Sequence, residues 1–441
     1  MANSFVAVVG RPNVGKSTFF NFLAGERISI VDDTPGVTRD RIYAEVEWLG
    51  RKFSLIDTGG IEPRTDDVLL QQMRIQAELA IETADVILFM VDLKAGLHAA
   101  DADIANMLRK TKKPVILAVN KCDHVGDTPP EAYEFYNLGL GDFFPISAVH
   151  GLGMGELLDA IVENLPEPET DDPANHRVKI CLIGKPNAGK SSLTNRLLGQ
   201  NRSIVSSISG TTRDSLDTPL TNEFGNYVLI DTAGLRKKSR IDDQVERYSM
   251  IRALAAIERS DVCLILIDAI DGITEQDTKV AGYAHNAGKA SIFVVNKWDI
   301  VNKETGTMEE YTRSIRERFS YMPYAQVLFL SALTGARCDK VFPMVNHVYE
   351  QACRKLTTGV LNDFIAEIQA MVPAPQDKGR RLKIRYATQV GICPPEFVLF
   401  CNDKELMHFS YERYIENRLR QNFGFDGTPV RFILRSRERK K

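Results

Sequence analysis

Gly10-Arg11-Pro12-Asn13-Val14-Gly15-Lys16-Ser17-Thr18 follows an apolar run at 5–9 and leads into a helical pattern at 18–24. The spacing G-x-x-x-x-G-K-S between a strand and a helix predicts a phosphate-binding loop. Its glycines let the backbone curl, so that N–H groups at a helix N-terminus converge on a polyphosphate. Lys16 brings a positive charge to the outer phosphates, and the Ser17 hydroxyl suits Mg²⁺. A chance glycine-rich turn is the bland alternative, and the strand–loop–helix setting argues against it. The phrase then returns as Gly184-Lys185-Pro186-Asn187-Ala188-Gly189-Lys190-Ser191-Ser192, after the apolar run 178–183. Two such loops organise the chain.

Around the first loop, residues 1–165 alternate strand-like runs (5–9, 42–48, 53–56, 86–91, 115–119, 143–146) with helical patterns (18–24, 68–82, 101–112, 131–138, 154–164). Leu49-Gly50 between two alternating runs predicts a hairpin, and so one antiparallel strand. The rest predicts an α/β fold, a mostly parallel sheet with helices on both faces. A proline-rich acidic stretch at 166–175 reads as a linker. The pattern then restarts. Lys16 and Lys190, Thr38 and Thr212, and Asp57 and Asp231 each lie 174 residues apart. The separation grows to 176 for Asn120 and Asn296, and to 184 for Ser147 and Ser331. That is duplication with loop insertions, the larger one predicted as a loop and helix at 302–321. The second domain is expected at 176–354. Beyond it, helices at 360–371 and 410–423 and strands at 382–389, 397–401 and 430–435 predict a small α+β domain at 355–441.

Bulk properties agree with this division. A chain of 441 residues implies about three domains. Its 44% apolar and 26% charged content is that of a globular protein. No apolar run approaches the ~20 residues of a membrane span. The N-terminus passes straight into the first strand, so no leader is expected. Seven scattered cysteines without C-x-x-C read as reduced thiols of a cytoplasmic protein, not a zinc site. Net charge is −3, yet from Arg354 onward there are 17 basic and 10 acidic residues. This basic segment has either an anionic partner or merely a solvated surface.

Four further motifs accompany each loop. Asp57-Thr58-Gly59-Gly60 and Asp231-Thr232-Ala233-Gly234 begin 41 residues beyond the loop lysine in both copies. A carboxylate at a strand end can hold Mg²⁺ through water, and the last glycine N–H can meet a γ-phosphate. Asn120-Lys121-Cys122-Asp123 and Asn296-Lys297-Trp298-Asp299 follow buried-looking strands. There the aspartate can accept guanine N1–H and its amine, whereas adenine leaves the carboxylate unpaired, so GTP is favoured over ATP. Ser147-Ala148 and Ser331-Ala332 would bring a backbone N–H to the guanine carbonyl. Thr38 and Thr212, in glycine-containing stretches, are placed to reach Mg²⁺ and γ-phosphate when GTP is bound, an order–disorder switch. The candidate catalytic set is Lys16, Thr38, Gly60, Lys190, Thr212 and Gly234. The candidate Mg²⁺ set is Ser17, Thr38, Asp57, Ser191, Thr212 and Asp231.

Five motifs in order, twice, followed by a small basic domain, resemble one bacterial family of tandem Era-like GTPases, Der or EngA, over the whole chain. The resemblance implies a KH-like C-terminal domain and a role in maturing the large ribosomal subunit, bound to its RNA; the chain is expected to be a monomer. Many GTPases orient the attacking water with a glutamine after D-x-x-G. Here Ile61 and Leu235 stand there, as in that family, and neither can hydrogen-bond water. In related GTPases the loop asparagine helps hold a K⁺ ion that supplies transition-state charge. Asn13 and Asn187 either do so or only stabilise the turn. Slow intrinsic hydrolysis is the expected consequence.

Some features fit less simply. No histidine is placed as a general base, and His98, His124 and His150 read as loop surface. The basic run 236–240 has no equivalent in the first copy, and is either a solvated face or an RNA or interdomain contact. Gly424-Phe425-Asp426-Gly427 matches the G-x-x-G of an RNA-clamping KH loop. It follows the last helix instead of joining two helices, so a clamp is not expected there. A membrane-acting GTPase lacks support, since no span or terminal lipidation cysteine is present. A tRNA-modifying enzyme would need a catalytic cysteine or cofactor domain that is not visible. A GTP-regulated scaffold with little hydrolysis stays open, because both copies lack the glutamine.

Overall fold

In the computed structural model the described residues are 4–25, 43–57, 74, 77–78, 80–123, 128–167, 177–199, 217–230, 244–302, 304–377 and 379–436. The first sheet comprises β1 (Ser4–Val9), β2 (Tyr43–Trp48), β3 (Arg51–Asp57), β4 (Val86–Asp92), β5 (Val115–Asn120) and β6 (Phe143–Pro145). Their order is β2-β3-β1-β4-β5-β6, and all neighbours are parallel except β2 with β3. The hairpin turns at Leu49 and Gly50, whose φ values of 48° and 75° both lie in the left-handed region that such a tight turn requires. β4 is VILFMVD, buried along its whole length. A continuous apolar run, not an alternating one, is what a strand covered on both faces needs. Its even and odd side chains feed two cores. Val86, Leu88 and Met90 pack with Phe19, Leu23 and Leu157, whereas Ile87, Phe89 and Val91 pack with Ile104, Leu108 and Phe135.

The second sheet repeats this plan with β7 (Val178–Ile183), β8 (Thr218–Asn222), β9 (Gly225–Leu229), β10 (Val262–Asp268), β11 (Ala290–Asn296) and β12 (Gln326–Phe329). Its order, β8-β9-β7-β10-β11-β12, is that of the first sheet, with β8 the antiparallel edge. The insertion predicted at 302–321 carries the helix Thr307–Arg318. In both sheets the candidate loops leave the carboxyl ends of the strands, where open α/β sheets bind ligands.

The C-terminal segment forms a hairpin of β13 (Gln376–Asp377) and β14 (Arg380–Arg381), then a sheet of β15 (Ile384–Gly391), β16 (Glu396–Cys401) and β17 (Arg431–Ser436). β15 and β16 are antiparallel, and β16 and β17 parallel. Helices Thr358–Met371 and Phe409–Phe423 supply Leu361, Phe364, Ile365, Tyr411 and Ile415 to a core shared with Ala387, Phe397 and Leu399.

Three local expectations need correction. The helical pattern at 131–138 is a 3-10 helix, Pro130–Leu138, with Pro129 at its N-cap, Pro130 as its first residue and Gly139 ending it in a left-handed turn. The run at 382–389 becomes a strand only from Ile384, since Lys383 N–H is taken by the Asn402 side chain. The short hairpin at 376–381, lacking any apolar alternation, was not foreseen. The Gly424–Gly427 segment is not a free clamp. Phe425 is fully buried, and its N–H donates to Gln351 Oε1 at 2.8 Å. Gly427 N–H donates to the Tyr324 carbonyl (2.8 Å), while its own carbonyl accepts Ser291 N–H (2.7 Å).

Candidate nucleotide sites

In the first site, the loop after β1 is a backbone curl that only particular residues allow. A Cβ on Gly10 would lie 2.3 Å from the Met90 carbonyl oxygen, and one on Gly15 would lie 2.1 Å from Asn120 Nδ2. Asn13 and Gly15 have φ of 64° and 98°. Asn13 tolerates this region better than most residues, and glycine does so without strain. Lys16, at the start of helix Lys16–Gly25, is buried and folds back over the loop, donating to Gly10 O (2.6 Å) and Arg11 O (2.7 Å). Pro12 sits on the rim, Val14 is buried beneath the loop, and the Ser17 and Thr18 side chains are exposed. The sequence did not point to the support below. Arg11 Nε donates to Asp101 Oδ1 at 2.8 Å, and Asp101 is completely buried. Burial raises the Asp101 pKa, against the pull of the Arg11 guanidinium. His98, expected as loop surface, is exposed but caps the helix Ala99–Leu108. His150 is exposed, and His124 lies outside the described residues.

The motif after β5 is tied to this loop. Asn120 Nδ2 donates to Val14 O (2.7 Å), and its Oδ1 accepts Ala148 N–H (3.0 Å). One buried amide therefore joins three loops. Lys121 has φ 68° and pairs with Asp92 at 2.5 Å, which lays its stem along the site. Cys122 is buried, and burial pushes its thiol up to about 11, so it is an inert packing residue. Asp123 accepts the Ser147 hydroxyl at 2.8 Å and pairs with Lys94 at 2.5 Å. The Lys94 hydrogen bond is the main cause that lowers the Asp123 pKa.

The second site repeats most of these contacts. Asn187 and Gly189 have φ of 63° and 97°, and Lys190 donates to Gly184 O (2.6 Å) and Lys185 O (2.8 Å). Pro186 and Asn187 are exposed at the tip and Ala188 is buried, while Ser191 and Ser192 are exposed on the first helical turn. Asn296 donates to Ala188 O (2.9 Å) and accepts Ala332 N–H (2.9 Å), and Lys297 pairs with Asp268 at 2.5 Å. Trp298 replaces the buried cysteine and packs on Phe329 and Tyr311.

The copies also differ. Ile270 stands where Lys94 stands, and Asp299 has no ion pair or side-chain hydrogen bond among the described residues. Ser331 Oγ accepts Thr334 N–H instead of serving the aspartate. Lys185 pairs with Asp271 (3.0 Å) and not with the buried Asp277, whose Oδ1 has no hydrogen-bond partner. Burial lowers the Lys190 pKa to about 8, with Asp277 opposing the shift. A cleft of about 250 Å³ opens beside Asp299 and Ser331, walled by Trp298, Thr307, Met308 and Arg337. The inserted helix supplies two of those residues, so this cleft has its origin in the length difference between the copies.

Of the other candidates, Asp57 ends β3 with its backbone in register with Val8. Thr38, Thr58, Gly59, Gly60, Ile61, Thr212, Asp231, Thr232, Ala233, Gly234, Leu235 and the basic run 236–240 lie outside the described residues.

Two strand-end loops whose lysine folds back on the loop carbonyls, each stapled by an asparagine to a loop bearing an aspartate, define a P-loop GTPase in tandem. A family model described as 50S ribosome-binding GTPase matches residues 5–121 and 179–297. Another, described as KH-domain-like of EngA bacterial GTPase enzymes, C-terminal, matches residues 355–435. GTPase Der of Acetivibrio thermocellus is 61% identical over 439 residues, covering 100% of both chains. GTPase Der of Ruminiclostridium cellulolyticum is 60% identical with the same coverage. The chain belongs to the GTPase Der family, and its reaction is the hydrolysis of GTP. Among the described residues, no helix is long and apolar enough to cross a membrane.

Proposed function

We propose that this GTPase acts as a nucleotide-operated switch in maturation of the large ribosomal subunit, in the cytoplasm and as a monomer. The observation that carries the nucleotide reading is the duplicated asparagine staple. Asn120 and Asn296 fix the guanine-facing aspartate at a set distance from the phosphate loop. The ribosomal direction is supported by the match to a ribosome-binding GTPase family over both GTPase segments. On this reading the working units are residues 1–165, 176–354 and 355–441, with 166–175 as linker.

The loop fits a polyphosphate. Its N–H groups surround a curl that side chains cannot enter, and Lys16 or Lys190 can turn from the loop carbonyls to phosphate oxygens. Exposed hydroxyls of Ser17 and Ser191 on the first helical turn are hard oxygen donors, suited to Mg²⁺ together with Asp57 and Asp231. Bound there, Mg²⁺ neutralises charge developing on the phosphates. Asp123 and Asp299 read guanine, with Ala148 and Ala332 N–H available to its carbonyl. Thr38 and Thr212 close on the γ-phosphate, and Gly60 and Gly234 donate backbone N–H groups to it. Ile61 and Leu235 cannot orient water, so intrinsic turnover is slow. Asn13 and Asn187, held at the loop tips with left-handed backbones, offer side-chain oxygens for K⁺.

Co-sedimentation with purified large subunits tests the proposal, comparing GDP with a non-hydrolysable GTP analogue in the parent, Lys16→Ala and Lys190→Ala proteins. Binding that requires the analogue and is lost in at least one variant is expected. Binding indifferent to nucleotide, or none at moderate salt, would overturn the switch reading.

A further inference from the structure

We propose that the open face of the C-terminal sheet is a stacking platform for single-stranded RNA. This surface is separate from the G-x-x-G segment, whose Phe425 and Gly427 are buried and which is tied to Tyr324, Val348 and Gln351. In the strand register, Tyr386, Phe400 and Arg435 form one row across β15, β16 and β17. In the next row Ile433 is exposed, Thr388 half-buried and Val398 buried, so the open part of this face is centred on the first row. The alternate residues Ala387, Leu399 and Leu434 point into the domain core. The outer row therefore has no structural task inside the domain. Tyr386 and Phe400 are nonetheless large rings, 46% and 39% exposed, with centroids 5.8 Å apart. An exposed aromatic pair side by side on a flat sheet is more than a scattered surface residue.

Charge decides between an RNA and an apolar protein partner. A register irregularity between Ile384 and Tyr386 puts Arg385 beside Tyr386 with both side chains exposed, as a β-bulge does when it re-aims a side chain. Arg381 and Lys383 lead into the same end of the sheet, and Arg435 closes the aromatic row. All four cations are exposed, and none has an ion pair among the described residues. The acidic group on this face, Glu396, is neutralised by Arg431 at 3.5 Å. Aromatic rings with cations spaced around them match bases stacking while phosphates are paired at the edge. A duplex cannot use such rings, because its bases are already stacked. The platform admits two or three unpaired bases and selects for single-strandedness more than for sequence.

This inference deepens the ribosomal reading and rests on it only for the partner being RNA. A free oligonucleotide therefore separates the two, since subunit co-sedimentation can fail while the oligonucleotide binds. The full chain is titrated with a 12-nucleotide oligouridylate and with a blunt-ended RNA duplex of the same length, which offers no unpaired base. Preference for the single strand is expected, with affinity falling about fivefold on Tyr386→Ala and at least about 20-fold on the double change with Phe400→Ala. GTP turnover and melting temperature should hold, and Tyr386→Phe should retain binding. Should the alanine pair unfold the domain, Phe400→Trp gives a second readout, its emission quenched by the oligonucleotide. Equal affinity for the duplex overturns the proposal. So does loss on Arg385→Gln and Arg435→Gln with no effect of the rings, which would leave charge attraction alone.

Discussion

The Asn120 side chain donates to the Val14 carbonyl at 2.7 Å, joining loops separated by 106 residues. The same amide accepts Ala148 N–H, and Asn296 repeats both bonds in the second copy. An asparagine suits this task because its amide is at once donor and acceptor; aspartate could not donate.

Replacing Asn120 with alanine would leave the Val14 carbonyl and the Ala148 N–H buried and unpaired, at about 1–3 kcal/mol for each group. The first domain should melt several degrees lower, and its fluorescent GDP affinity should drop more than tenfold. Asn296→Ala should do the same to the second domain alone. Calorimetry with nucleotide titration checks this, and an unaltered melt would mean that the loops are held by other contacts.

Lys94 pairs with the Asp123 carboxylate proposed above to read guanine, whereas Ile270 leaves Asp299 without such a partner among the described residues. The two sites should therefore differ in affinity for a reason lying outside the five motifs. Lys94→Ile should tighten GDP at the first site about two- to fivefold, the range an exposed ion pair supports. Ile270→Lys should weaken the second site to a similar degree. Titration of each site, with the other disabled through its loop lysine, measures both. Weaker binding by Lys94→Ile would instead make that lysine a support for the base.

Much of this was legible because the decisive features are local. Strand–loop–helix spacing around Lys16 and Lys190 specifies its own geometry, and β4 and β10 betray their burial by unbroken apolar runs. What stayed hidden depends on long-range contact. Arg11 with Asp101, and Lys121 with Asp92, are ordinary charges in sequence and become partners only when the loops converge. Gly424–Gly427 shows the opposite hazard. It matches a recognised phrase, yet Phe425 within it is packed in a core. The strand pairing that lines up Tyr386 with Phe400 could not be read without fixing the bulge at Arg385.

His285 gives the second half a pH-dependent stability. Its Nδ1 lies 2.8 Å from the Tyr324 hydroxyl, with Tyr321 edge-on and the Arg420 and Arg431 guanidinium groups nearby. Burial chiefly, then those two charges, lowers its pKa to about 4. A depressed folded-state value means that the unfolded chain takes up the proton first. Stability is therefore complete above the ordinary histidine value near 6.5 and is lost as pH falls towards 4, by up to about 3 kcal/mol. Urea denaturation of the full chain between pH 7.5 and 4.5 should show this decline. His285→Gln, which keeps a polar group for Tyr324 but cannot titrate, should flatten it. An equal slope in the variant would place the titration elsewhere.

Phe425 should be the principal anchor of the C-terminal segment. It is fully buried, edge-on to Phe397 at 5.9 Å, and its N–H is held by Gln351. Phe425→Ala removes a buried ring at about 3–5 kcal/mol. Gly427→Ala acts differently: φ is +75°, and the added Cβ would meet Val348 Cγ2 at 2.4 Å. Both changes should bring out a separate low-temperature transition in calorimetry and early proteolytic release of the C-terminal segment. Asp426 is half-exposed and only 3.7 Å from His347 at the surface, so Asp426→Ala should leave the transition where it is. If the segment clamped RNA, Gly427→Ala and Asp426→Ala would both weaken oligouridylate binding with the melt unaltered. Packing predicts the reverse ordering, with stability lost in Gly427→Ala and neither stability nor binding changed in Asp426→Ala.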